Sequence, residues 1–176
     1  MQKGGDSLEK NWLTLIKFGD KKAFRQLYNA YANTAIRTAS AITKNREQAK
    51  DAVQETFIRV YRQIGSYDES LPFDPWFYRI LTNECLRVMK KEASHSKYVE
   101  QIELSAPYEE EHLFDLYSLI QSLEDHQRIP IILKYIKGCS EKEIAEILSL
   151  NQNTVKSRLF KGRKRLKEQL MKEDSE

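Results

Sequence analysis

Helix breakers are scarce in this chain: six glycines and four prolines in 176 residues. Between them, apolar side chains recur at three- and four-residue intervals, and no stretch sustains the alternation of a strand. That pairing predicts an all-α protein. Ser7 to Phe18 carries Leu8, Trp12, Leu15 and Ile16 on one stripe, and Asp20 then caps a run through Phe24, Leu27, Tyr28, Tyr31 and Ile36. Asn45 caps a third helix with Ala49, Ala52, Val53, Phe57, Val60 and Ile64 facing inward. "GSYDESLPF", Gly65 to Phe73, breaks the period and reads as a loop. Asp74-Pro75 restarts a helix, with Asp74 as its cap and proline at the first helical position.

From Ser94 to Glu111 the periodicity fades, and Ser105-Ala106-Pro107 reads as linker. The expected organisation is two small helical domains, 1–93 and 112–176, joined by a flexible segment, 94–111. Charge follows the same division. Residues 1–93 hold 16 basic against 11 acidic side chains (net +5), residues 94–127 one against 8 (net −7), and residues 128–176 12 against 7 (net +5). Two basic modules on an acidic tether point to anionic partners.

Cys85 and Cys139 form no C-x-x-C pair and lie near no histidine cluster, and His95, His112 and His126 are scattered. The residues therefore suggest no metal, cofactor or catalytic site, and each thiol reads as small apolar filling. No apolar run approaches a membrane span, and the first 30 residues lack the apolar core of a signal peptide. The expected location is the cytoplasm.

"CSEKEIAEILSLNQNTVKSRLFKGRKRL" has the spacing of a helix-turn-helix. Ser140 and Glu143 form a capping-box pair, and Ile144, Ala145 and Leu148 make the inner face. Ser149-Leu150 is the turn, where glycine would sit more easily, and Asn151 caps the second helix. At roughly 100° per residue, Val155, Leu159 and Leu166 share one stripe, with Gly162 between them. Ser157, Phe160 and Lys164 lie opposite, flanked by Lys156 and Lys161. A major groove accepts such a helix and offers acceptors to lysine and thymine methyls to an apolar group. Phe160 has two readings: a base contact, or packing against a neighbouring helix. Arg158 falls beside the buried stripe and suits packing or a phosphate.

This segment resembles the promoter-reading domain of bacterial RNA polymerase sigma factors of the extracytoplasmic-function (ECF) group, through "EIAEIL", the turn, "TVKSRL" and the basic tail. The resemblance implies that the second helix reads the −35 promoter element through Thr154, Lys156, Ser157, Phe160, Lys161 and Lys164, with Arg158 on the backbone. Upstream, "AKDAVQETFIRVYR" is similar to the ECF segment that docks on the coiled coil of the polymerase β′ subunit. By that likeness Asp51, Gln54, Glu55 and Arg59 bind core polymerase. From spacing alone, Glu55 and Arg59 are a helix-surface ion pair worth a few tenths of a kcal/mol.

The loop and the helix "DPWFYRILTNECLRVMKK" also resemble the family's −10 segment, which melts the element and holds an unstacked base. The likeness implies DNA contacts at Arg62, Ser66, Tyr67, Arg79, Asn83 and Arg87. Extruding a base costs a few kcal/mol, which a stacking surface, a polar pocket and a basic track can offset. Trp76 and Phe77 fit a helix core better than a stacking platform. Two departures stand out: Arg87 occupies a position that is commonly acidic in the family, and the loop "SYDESLP" is individual. The family also implies the β flap of core polymerase, promoter DNA and an anti-sigma factor as partners, and no enzymatic chemistry. Two other classes stay open: a one-component transcription factor that binds DNA unaided, and a regulator that occupies polymerase without reading DNA.

Overall fold

A computed structural model describes residues 5–95 and 111–173. Helix α1 runs Gly5–Lys17 and α2 Lys21–Thr43. Between them the Asp20 carboxylate accepts from the amides of Lys22 (2.7 Å) and Ala23 (3.1 Å), satisfying two orphan donors of the helix start. Asn45 does the same for α3, Arg46–Gln63, through Glu47 (2.9 Å) and Gln48 (3.0 Å). A single 3₁₀ turn, Ile64–Ser66, leads into the loop before α4, Phe73–His95.

Asp74 departs from its expected role as a cap. It sits inside the first turn of α4, where its carboxylate accepts from the Tyr31 hydroxyl and lies 3.6 Å from Lys137 Nζ. A carboxylate there still faces the positive end of the helix dipole.

Helices α2, α3 and α4 enclose an aromatic core. Phe77 is fully buried, with ring centroids 4.8 Å from Tyr31 on α2 and 5.5 Å from Phe57 on α3. Tyr67, Phe73 and Trp76 close one end of this core, all within 5.6 Å of one another by centroid. Each fully buried ring contributes on the order of 2–3 kcal/mol.

The second group comprises α5 (Glu111–Ser122), α6 (Asp125–Ile131), α7 (Glu141–Leu148) and α8 (Gln152–Glu173). Pro130 lies inside α6, and the chain widens directly afterwards into a π turn, Ile132–Ile136, with the Lys137 amide reaching back to Ile132 (3.1 Å). The expected capping box opens α7: Glu143 N–H donates to Ser140 Oγ and Ser140 N–H to the Glu143 carboxylate. Ser149 then turns left-handed (φ 53°), the conformation glycine would adopt at less cost. Val155 and Leu159 seal α8 against the rest, and a Cβ at Gly162 would meet Ile131 Cγ1 at 3.0 Å, so α6 and α8 cross closely there.

The interior of the expected linker, including Ser105-Ala106-Pro107, lies outside the described residues. The two helical groups are docked on one another and share a continuous apolar core, α7 lying on α4. Polar contacts fix both ends of this docking. Arg128 is fully buried and donates from Nη2 to the Ile42 carbonyl (2.7 Å) and from Nη1 to Leu123 (3.1 Å), with Asp125 2.8 Å away. Gln121 donates to the Ala41 carbonyl (3.1 Å). A cation from one group thus meets the negative C-terminal turn of α2 in the other. At the far end Lys137 Nζ lies over the Tyr78 ring, 4.2 Å from its centroid.

Burial pushes the Cys85 thiol up to about 12 and the Cys139 thiol up to about 11, Glu84 and Glu143 respectively adding to the effect. In the native protein at pH 8, alkylation should therefore be suppressed relative to the unfolded chain, roughly a thousandfold at Cys85 and a hundredfold at Cys139; mass spectrometry of iodoacetamide adducts with and without urea measures this. Arg128→Ala leaves buried carbonyls without donors and should cost about 2 kcal/mol, read as a lower urea midpoint at unchanged slope.

Candidate nucleic-acid interface

Helix α8 separates its chemistry by face. Val155 and Leu159 point inward, fully buried, while Lys156, Ser157, Phe160, Lys161 and Lys164 are exposed and Thr154 and Arg158 half-buried. Phe160 is 62% exposed, so it is not a packing residue of this chain's core. An exposed phenylalanine between two lysines is costly to leave in water unless something covers it. The basic tail is partly engaged: Arg163 donates to the Tyr135 hydroxyl (3.2 Å), Arg165 lies 3.5 Å from Glu124, and Lys164 3.8 Å from Glu168. These surface pairs are weak and leave Lys156 and Lys161 as the cations of the exposed face.

On α3, Asp51 and Gln54 are exposed and Glu55 is half-buried. Beside them an open groove runs between α2 and α3, walled by Phe24, Tyr28, Ile36, Phe57, Ile58 and Tyr61. Of the predicted polymerase-facing residues Gln54 stands at this groove, as does Arg62 from the predicted −10 set, so Gln54 borders an apolar surface rather than a purely solvated one. Arg59 departs from the simple surface pair. Besides Glu55 at 3.4 Å, its Nε lies 2.7 Å from Glu84 on α4.

The residues assigned to the −10 element do not all share one environment. Arg79, Asn83 and Arg87 form an exposed stripe at four-residue spacing along α4, and Arg62 and Ser66 are exposed nearby in sequence. Tyr67 is different. It is 5% exposed, its ring packs on Phe73 and Trp76, and its hydroxyl donates to the Leu71 carbonyl. In this state its side chain belongs to the core and offers no face for a base. Phe77 is likewise fully buried and Trp76 half-buried, as the packing reading of the helix expected.

Sequence reasoning missed Glu84. It is 2% exposed, donor-facing on both oxygens, and joins Arg59 to Arg87. Its three-residue spacing from Arg87 was the available signal.

Comparison with known proteins accounts for both halves. Residues 27–95 match the family Sigma-70 region 2, and residues 113–166 match Sigma-70, region 4. The ECF RNA polymerase sigma factor SigW of Bacillus subtilis is 33% identical over 179 residues, covering 92% of this chain and 96% of the relative. SigE of Mycolicibacterium smegmatis, another ECF sigma factor, is 32% identical over 90% of this chain and 66% of its own length. Among solved structures, the sigma factor RpoE bound to the anti-sigma factor NepR from Bartonella quintana superposes with a TM-score of 0.73 at 27% identity, over 85% of this chain and 98% of that one. CnrH, solved with the cytosolic domain of CnrY, has the same fold (TM-score 0.72, 22% identity, 93% and 97% covered). A helix-turn-helix with an outward basic face, a region 2 helix bundle and full-length likeness to SigW agree: the chain belongs to the ECF group of RNA polymerase sigma factors.

Proposed function

We propose that this sigma factor holds core RNA polymerase through the α3 face formed by Asp51, Gln54, Glu55 and Arg59, and reads a −35 element with α8. On this reading Lys156, Ser157, Phe160 and Lys161 approach base edges, while Thr154, Arg158 and Lys164 serve the backbone or the groove margin. Arg62, Ser66, Arg79, Asn83 and Arg87 meet the opened −10 element. Tyr67 would join them only if its loop left the core. The chain acts without covalent chemistry, as an initiation factor and not an enzyme. Core polymerase (β′ coiled coil and β flap), promoter DNA and an anti-sigma factor are its partners, and the cytoplasm is its place of work. No helix among the described residues is long and apolar enough to cross a membrane.

The observation that supports this most strongly is the division of α8. A buried Val155–Leu159 stripe fixes the rotation of the helix, so Lys156, Ser157, Phe160 and Lys161 are presented outward together. Lysines can donate to guanine acceptors there, and the phenyl ring can cover a thymine methyl group. Phosphate contacts set position, and these few side chains would set sequence.

Transcription in vitro with purified core polymerase and genomic DNA fragments tests the reading: initiation should start at discrete promoters only when both are present. A protein that shifts specific DNA unaided and directs no initiation would be a one-component regulator instead. Phe160→Ala should leave core binding unchanged and weaken the −35 element by about 1–3 kcal/mol, with relaxed preference at one position, seen by competition between promoter variants. Glu55→Lys should lower affinity for core polymerase in a pull-down titration while circular dichroism shows the native helix content. Loss of helicity in that variant would mark Glu55 as a purely structural residue.

A further inference from the structure

Glu84 is the most deeply buried carboxylate in the described part of region 2, and both its oxygens face arginines. Oε2 accepts a hydrogen bond from Arg87 Nε at 2.6 Å. Oε1 lies 2.7 Å from Arg59 Nε, without the alignment of a hydrogen bond, and Arg59 in turn lies 3.4 Å from Glu55. Charges therefore alternate across the α3–α4 seam, from Glu55 through Arg59 and Glu84 to Arg87. An unpaired carboxylate at such a site would be costly, so the arrangement of its two partners is tightly constrained.

The mode of attachment is informative. Arg87 is hydrogen-bonded through Nε, its side chain is half exposed, and its two terminal nitrogens donate no hydrogen bond among the described residues. A guanidinium fixed at Nε still presents a planar fork that suits two oxygens of a phosphate. Arg87 also ends the exposed stripe that contains Arg79 and Asn83. A free arginine would lose rotamer freedom on meeting a phosphate, whereas one already tethered loses less.

We propose that Glu84 is a positioning residue for −10 strand capture: it grips Arg87 by Nε so that the outer edge of the guanidinium is set to clamp a phosphodiester of the opened strand. The inference rests on the assignment of the Arg79–Asn83–Arg87 stripe to the −10 element. Arg59, on the other oxygen, keeps the carboxylate from closing over both edges of Arg87.

Positioning and simple electrostatics predict opposite signs. Glu84→Gln removes a negative charge beside DNA, so charge alone would tighten binding. Positioning predicts weaker binding, because only a neutral amide oxygen remains to accept from Arg87 Nε and the charge-assisted hold is lost. The probe is a fluorescent single-stranded −10 oligonucleotide, taken from a promoter mapped in vitro, titrated with holoenzyme at saturating core polymerase. Glu84→Gln should weaken binding by roughly five- to tenfold, the scale of one net hydrogen bond. The slope of log affinity against log salt should fall by about 0.7, one single-strand phosphate contact. Arg87→Lys, an exposed change that keeps the charge but not the Nε tether, should weaken binding to a similar extent. In an Arg87→Ala background, Glu84→Gln should have no further effect. Unchanged or tighter binding by Glu84→Gln, an unchanged salt slope, or wild-type behaviour of Arg87→Lys would each overturn the proposal. If wild-type holoenzyme fails to prefer the −10 strand over a scrambled one, the assignment of the stripe itself falls, and Glu84 with it.

Discussion

Helix α4 is apolar on two sides, and most of the other packing is arranged around that fact. Phe77 faces Tyr31 and Phe57 of α2 and α3, while its neighbour Tyr78 faces Lys137 in the second helical group. Cys85, two turns beyond Tyr78, is buried as well. Ordinary surface helices bury one stripe. A helix with two must be central, and α4 accordingly carries the region 2 core on one flank and α7 on the other. Its remaining exposed strip is narrow, and Arg79, Asn83 and Arg87 fall on it. Position in the fold thus leaves α4 little surface with which to meet a ligand, and apart from Leu86 that surface is basic and polar.

The electrostatics follow the same geometry. Where α4 crosses α3, a buried Glu84 is flanked by two arginines; where the two groups meet, a buried Arg128 faces the carbonyl end of α2. Each ion is taken out of water only with opposite charge or aligned backbone dipoles beside it. For Arg128, desolvation is the larger influence and lowers its pKa, with Asp125 opposing. Neither site is an independent source of stability on this account. Each specifies one arrangement of helices over others that would leave a charge unmatched.

Much of this was legible beforehand, and the parts that were not share a cause. Asp20, Asn45, Ser140–Glu143 and Asn151 act on amides two or three residues away, so their roles could be read from the chain itself. The Val155–Leu159 stripe likewise follows from helical period. Asp74 read as a cap because the partner that claims it, Tyr31, is 43 residues distant. Tyr67 read as a DNA residue because its loop stands where the family has its −10 loop, yet Phe73 and Trp76 supply a surface that covers its ring. Glu84 drew no reading from the sequence, because Arg59 reaches it only where α3 packs on α4. Tyr78 gave no sign that it would face another domain, since a second apolar stripe is indistinguishable in sequence from a wider first one.

The docking of α7 on α4 has a thermodynamic consequence for promoter use. Arg128 and Lys137 hold the two helical groups together, whereas two promoter elements lie apart along B-form DNA, which advances about 3.4 Å per base pair. On the proposed reading, a promoter whose elements lie farther apart than the docked groups reach is spanned only if Arg128 lets go of Ile42 and Lys137 leaves Tyr78. The docked and promoter-spanning forms are then two states of a single equilibrium. Affinity for a whole promoter is diluted by the fraction of molecules that are undocked. Side chains at that seam, far from any base, would tune promoter strength across the entire regulon at once, leaving sequence preference untouched.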